Sequence, residues 1–197
     1  LLYAVNAGGT VSVDPVNGTI TPISSLGLGA YIFTQRGGGI TYGDGLLSLL
    51  RPDGIHRIDP LSGTSSLVTN YGTGDYDGGI TYGGGLLYAV NASNTVSIDP
   101  FTGAVNLLSS LGLGASSRRT LGGGITYGDG QLYVINASGI YSIDPFTGAS
   151  SLLANYGLGD FDGGITFVSA PIPTPPAAWL FGSALGLIGV MRRKIGS

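Results

Sequence analysis

The chain contains no cysteine and no glutamate, a single histidine, and only 10% charged residues over 197 positions. Without cysteine there is no disulfide framework, no thiolate nucleophile and no zinc-thiolate site, although the compartment stays open. Helix formers are scarce: all 11 acids are aspartate, which suits turns better than helices, and 37 residues are glycine. Positive charge is also thin. Arg192, Arg193 and Lys194 occupy the C-terminal tail, leaving five arginines against 11 aspartates elsewhere, the wrong sign for a nucleic-acid surface. What is plentiful is hydrophobicity, 43% of the chain, enough for one compact domain rich in tight turns. The sequence opens at Leu1 rather than Met, so an upstream segment, any secretory signal included, is expected to lie outside it.

The sequence repeats itself. Displaced by 85 residues, 1–85 aligns with 86–170 without a gap: LLYAVNAGGTVSVDPVNG falls on LLYAVNASNTVSIDPFTG, and NYGTGDYDGGITY on NYGLGDFDGGITF. Each half divides again. GGITY or GGITF recurs with its isoleucine at 40, 80, 125 and 165, and Asp-Pro recurs at 14, 59, 99 and 144, so a unit of 40 or 45 residues occurs four times. Within a unit, GGITYGDG, LLYAVN, TVSIDPFTG and AVNLLSS read as four short strands, each apolar or β-branched and each ended by Gly, Asn, Asp or Pro. Asp-Pro-Phe-Thr-Gly is expected to form the hairpin tip between the third and fourth strands, because Pro presets φ at the turn entry and Gly supplies a positive φ at its exit. Gly43-Asp44-Gly45 and Gly128-Asp129-Gly130 are expected to join the first strand to the second.

Four-stranded units of this length have the period of β-propeller blades. The Gly-rich first strand, the LYAVN or LYVIN second strand and the VSID third strand resemble the YVTN-like propeller repeats over about 1–167. The resemblance implies a fold and a platform, not an activity. The repeats start in a second strand, Leu1 to Asn6, and finish in a first strand, Gly163 to Phe167. Pairing of 163–167 with 1–6 would therefore close a four-bladed ring; alternatively the chain is the C-terminal half of a larger propeller.

Several constellations invite a chemical reading. His56, in DGIHRIDP, is replaced by Tyr141 in the duplicate, so it reads as a strand residue rather than a general base. GLGASSRRTLGGG lacks the βαβ setting of a phosphate cradle and reads as a variable loop. In GDYDGG and GDFDGG, Asp75 with Asp77 and Asp160 with Asp162 alternate along an extended segment, so each pair could aim two carboxylates at a Ca²⁺ ion. The alternative is that they accept hydrogen bonds from the Gly-Gly turn that follows. A calcium-dependent rise in melting temperature would separate the two. Asp14, Asp59, Asp99 and Asp144 occur once per unit, as turn residues do. Tyr3, Tyr42, Tyr82, Tyr88 and Tyr127 fall on inner strands, where they either line a channel or pack between blades. Asn17, Asn91 and Asn136 lie in N-x-S/T triplets, which are common by chance in a chain rich in Ser and Thr.

The tail reads differently from the repeats. Ala177 to Met191 carries no charge over 15 residues, so a helix there would be about 22 Å long, short against the roughly 30 Å hydrocarbon layer. Trp179 at one end and Arg192, Arg193 and Lys194 at the other supply an interfacial aromatic and a cytoplasmic cation cluster. Pro173, Thr174 and Pro175, then AAWLFGSALGLIGV, then RRK, resemble the PEP-CTERM sorting signal of Gram-negative bacteria over about 171–194. That resemblance implies export, transient membrane anchoring, processing by an exosortase at the proline motif, and a final place on the cell surface or in the exopolysaccharide matrix. Thr174 stands where the name-giving motif has Glu.

The expected chain is thus all-β: a β-propeller of four four-stranded blades over 1–168, a Pro-rich linker with the sorting motif over 169–176, and one hydrophobic helix with a basic tail over 177–197. The expected function is that of an exported binding or structural module without a cofactor. The alternatives are a propeller lyase or hydrolase acting on exopolysaccharide through Asp75, Asp77, Asp160 and Asp162, and a permanently anchored adhesin.

Overall fold

Among the described residues of the computed structural model, fifteen antiparallel strands, each four to six residues long, account for the regular structure. The structure describes residues 1–29, 38–71, 78–114, 124–156 and 164–168. The first sheet, blade 1, contains β1 (Leu2–Val5), β2 (Thr10–Val13) and β3 (Ile20–Ser24). Blade 2 contains β4 (Ile40–Gly43), β5 (Leu46–Arg51), β6 (Gly54–Ile58) and β7 (Ser65–Thr69). Blade 3 contains β8 (Gly79–Gly83), β9 (Leu86–Val90), β10 (Thr95–Ile98) and β11 (Val105–Ser109), and blade 4 contains β12 (Gly124–Gly128), β13 (Gln131–Asn136), β14 (Gly139–Ile143) and β15 (Ser150–Ala154). Every blade is a plain meander; blades 2, 3 and 4 have the four strands read from the sequence, and blade 1 has three among the described residues.

Local chemistry sets the turns. In the first hairpins of blades 2, 3 and 4, two residues connect the strands and both have positive φ: 49° and 79° at Asp44 and Gly45, 57° and 84° at Gly84 and Gly85, 48° and 78° at Asp129 and Gly130. This is the type I′ geometry whose twist matches that of the strands. The pairing of the third strand with the fourth shifts register at the same place in each blade, after Thr10, Ile55, Thr95 and Ile140. Such a bulge adds local twist.

In blades 2, 3 and 4 the second strands are buried on both faces, which is why they read as continuous apolar runs rather than alternating ones. In β9, Leu87 and Ala89 pack toward blade 2 with Leu50 and Ile55, while Tyr88 and Val90 pack toward blade 4 with Leu132 and Val134. A third cluster, built on Leu47, Leu49 and Ile58, joins blade 2 to Tyr3 and Val5 of blade 1. The fourth strands lie at the rim, and β15 is exposed throughout.

The expected pairing of 163–167 with 1–6 is not formed by the described residues. Blade 1 has three strands, and 164–168 lies against β12, with Ile165 over Gly124 and the Phe167 ring over Gly128, the seat that β8 takes on β4. Glycines leave the notches for that face-to-face seat, which by itself supplies no partner strand to β1. Leu2 is accordingly 58% exposed, whereas its repeat counterpart Leu87 is fully buried. The expected C-terminal helix lies outside the described residues, and among those residues no helix is long and apolar enough to cross a membrane.

Candidate functional site

The Asp-Pro turns are the most regular feature of the molecule. The Oδ1 of Asp59, Asp99 and Asp144 accepts backbone N–H groups two and three residues on: Leu61 at 2.8 Å and Ser62 at 3.3 Å, Phe101 at 2.7 Å and Thr102 at 3.0 Å, Phe146 at 2.8 Å and Thr147 at 3.1 Å. Asp14 accepts the N–H of Val16 at 2.8 Å. These bonds hold the carboxyls of Asp59, Asp99 and Asp144 below their ordinary pKa. The four aspartates are therefore turn acceptors, as their once-per-unit spacing predicts.

Each of these turns also presents one apolar side chain to solvent, which the sequence reading missed. Val16, Leu61, Phe101 and Phe146 follow the Asp-Pro pair, and they are 92%, 96%, 73% and 89% exposed. Gly63, Gly103 and Gly148 of the same turns abut the carbonyls of Ile23, Val68 and Leu108 on the outer strand of the preceding blade. The tips therefore stand in a row along one side of the stack, with the Arg57 guanidinium 4.7 Å over the Phe101 ring. A repeated exposed apolar position is what an interaction surface offers. The signal was available in DPVNG, DPLSG, DPFTG and DPFTG, where the residue after Pro is always large and apolar.

The tyrosines serve the seams between blades. Tyr3 stacks on Tyr42 at 5.4 Å between centroids, and Tyr88 on Tyr127 at 5.9 Å; Phe167 lies 5.5 Å from Tyr133. Tyr82 seats against Gly43 and Tyr127 against Gly83. Packing is thus the reading realised for the inner-strand aromatics. The Tyr82 hydroxyl donates to Asp44, and this bond, with partial desolvation, pushes its pKa to about 12. Burial pushes Tyr71 to about 12 as well, opposed by the Asn91 amide that donates to its hydroxyl at 2.9 Å.

These shifts predict the pH profile of stability. A tyrosine whose folded pKa exceeds the ordinary 10.0 keeps its proton in the folded state after the unfolded chain has lost it. Stability therefore falls as pH rises from about 10 to about 12. The aspartates act oppositely: their contribution is complete above the ordinary 3.8 and is lost as pH falls through their lowered folded values. Melting temperature is expected to show a plateau between these limbs, and absorbance titration of tyrosinate should find part of the population near pH 12.

Asparagines at the ends of second strands are structural too. Oδ1 of Asn91 accepts the N–H groups of Ser93 and Asn94 at 2.8 and 2.9 Å, and buried Asn136 does the same for Ser138 and Gly139 at 2.9 and 3.1 Å. Asn136 Nδ2 also donates to the Gly112 carbonyl of blade 3 at 3.0 Å. In blade 2 the counterpart is Arg51, whose guanidinium donates to the matching Gly27 carbonyl and, through Nε, to Asp53 at 2.8 Å. His56 lies in β6 as expected, its side chain 14% exposed and its Nε2 3.3 Å from Asp53 Oδ1.

Among the described residues, no three His, Cys, Asp or Glu side chains converge as a metal site would require. Asp75, Asp77, Asp160 and Asp162, proposed above for calcium, lie outside the described residues. So do the sorting positions Pro173, Thr174, Pro175, Trp179, Arg192, Arg193 and Lys194.

No protein-family model matches this sequence, and no curated protein matches it significantly. Solved structures do resemble it. A chain of the crystal structure of a nidogen/laminin complex is similar with a TM-score of 0.66 and 16% identity, over 85% of this chain and 64% of that one. A structural genomics protein of unknown function from Bacteroides thetaiotaomicron VPI-5482 is similar with a TM-score of 0.62 and 15% identity, over 84% of this chain and 50% of that one. The chain thus spans less than two thirds of either neighbour. With its repeated four-stranded meanders, this likeness defines the fold as that of a β-propeller repeat module.

Proposed function

We propose that this chain is an exported bacterial surface or matrix protein whose propeller repeats bind a partner through the row of apolar turn tips. The observation that carries the binding role is the repeated exposure of Val16, Leu61, Phe101 and Phe146 on turns fixed by aspartate. A rigid tip loses little entropy when an apolar residue is covered, which favours recognition. That one structural neighbour was crystallised in a protein complex is consistent with such a role. Address comes from the tail: Pro173-Thr174-Pro175, the apolar run from Ala177 and the Arg192-Arg193-Lys194 cluster support transient anchoring and processing by an exosortase-type membrane enzyme. The matrix exopolysaccharide and its proteins are the partners within reach.

The test is retention. In cells that export the protein, a Leu61→Ser, Phe146→Ser double variant should melt like the parent, since both side chains are exposed and such surface changes usually shift stability by less than about 0.5 kcal/mol. It should nevertheless be shed into the medium severalfold more than the parent. Equal retention of parent and variant would rule out the turn tips as the binding surface.

A further inference from the structure

Two of the turn tips, 99–103 in blade 3 and 144–148 in blade 4, are built from the same five residues, Asp-Pro-Phe-Thr-Gly. In both, the aspartate accepts the N–H groups of the Phe and the Thr, and the closing glycine has positive φ, 73° at Gly103 and 71° at Gly148. Their surroundings differ at one position. Arg57 of blade 2 holds its guanidinium 4.7 Å from the centroid of the Phe101 ring, and its charge helps to hold the Asp99 carboxyl below its ordinary pKa. The corresponding residue before Phe146 is Ser97 of blade 3: Arg57 pairs with Ser66 and Ser97 with Asn106, each one step from its own tip. Phe146 is correspondingly more exposed than Phe101, 89% against 73%.

Charge at this end of the module points to the same missing group. In a meander the first and third hairpins of a blade lie together, so the tips share an end with the Asp44 and Asp129 turns. Six of the seven described aspartates, Asp14, Asp44, Asp59, Asp99, Asp129 and Asp144, lie there, whereas Asp53 occupies a second hairpin at the opposite end. Among the described residues Arg57 is the one arginine at the tip end, since Arg51 borders the same second hairpin as Asp53. The fourth strands run away from the tips, so the chain leaves each blade at the other end.

We propose that Phe146 and Asp144 seat an arginine side chain of a partner protein, in the place that Arg57 takes at Phe101 and Asp99. This rests on the reading of the turn tips as a binding surface and names the chemistry of the partner: a basic, arginine-bearing protein segment, not an acidic exopolysaccharide, which six carboxylates repel. The chain's own Arg57 is the template for the occupant. A planar guanidinium stacks on a ring and meets a carboxylate with its edge, whereas an ammonium is a compact, strongly hydrated point charge. One such contact at an exposed site is worth about a two- to fivefold gain in affinity.

Titration of the full chain in mild detergent with hexa-arginine, followed by NMR of isotope-labelled phenylalanine rings, tests the seat. The Phe146 resonances should move, while those of Phe101, already under a guanidinium, should stay. Hexa-citrulline, of nearly the same shape without the charge, should move neither. Arg57→Ser should make the Phe101 ring respond as Phe146 does, because the two tips are then alike. Asp144→Asn keeps an acceptor for the turn and should weaken binding at Phe146 by up to about fivefold. A Phe146 ring that ignores hexa-arginine, or answers hexa-citrulline equally, would overturn the proposal. So would an Arg57→Ser chain whose Phe101 ring stays unresponsive, or a cationic glucosamine oligomer that moves Phe146 more strongly than hexa-arginine does. The retention test fails separately: a tip variant retained like the parent, with the Phe146 response intact, removes the surface role and keeps the seat. A shed tip variant with no Phe146 response keeps the surface and overturns the seat.

Discussion

Gly83→Val is expected to lower the melting temperature by several degrees, although the residue lies in a regular strand and its φ is negative. The reason is contact across a seam. A Cβ at Gly83 would fall within the Tyr127 ring, close to its root at Cγ rather than at its flexible end. Overfilling a packed site costs about 1–3 kcal/mol, and in a chain of this size each kcal/mol is worth about 2–4 °C. Tyr127→Ala removes the ring and also its stacking on Tyr88, so it is destabilising by itself. In the double variant the clash has no partner, and the combined loss should be smaller than the sum by about 1 kcal/mol or more. Thermal melts of the four members of this cycle decide it. Simple additivity would mean that glycine at 83 serves only the neighbouring turn, not the seam.

The second large effect is Leu87→Ala, which should cost about 2–5 kcal/mol in denaturant unfolding at unchanged slope. Leu87 is fully buried between blades 2 and 3, where Leu50, Ile55 and Ile98 surround it. Removing three carbons there leaves a void that four thin sheets cannot easily collapse. Leu61→Ala is the control. Its side chain is 96% exposed at a turn tip, and its loss should change stability by less than about 0.5 kcal/mol. Two leucines of equal hydrophobicity thus differ by the seam alone. Comparable losses for both would show that the blades do not pack as described.

Strands and turns were legible in the sequence because their causes are local. Alternation, β-branching and the Asp-Pro and Gly-Asp-Gly turns act within a few residues, and the fourfold recurrence multiplied the signal. Seams were much less legible, since they join positions about 40 residues apart. Gly43, Gly83 and Gly128 read as strand-end or turn glycines, yet each is a notch for the next blade's aromatic. Asn91 and Asn136 read as chance glycosylation triplets, yet they fasten turns, and Asn136 also reaches the preceding blade. The expected pairing of 163–167 with 1–6, which the described residues do not form, was likewise non-local. Strand composition specified what kind of partner each segment takes, while the notches at Gly124 and Gly128 decided where 164–168 sits. Apolar turn tips were overlooked because a single exposed Leu or Phe is unremarkable. Only their recurrence at one structural position gives them meaning.

Fold and address contribute different parts of the functional account. The repeats supply the surface of turn tips, and among the described residues no three His, Cys, Asp or Glu side chains gather as a metal site would require. From the tail comes the proposed destination. Intact-mass analysis of the protein recovered from its native cells tests that destination most directly, with the tail peptide sought separately. The account predicts a mature chain ending near Pro173 to Pro176, with the Trp179-containing peptide released. A mature chain that still carries Arg192 to Ser197 would contradict the sorting account and make the protein a permanently anchored one.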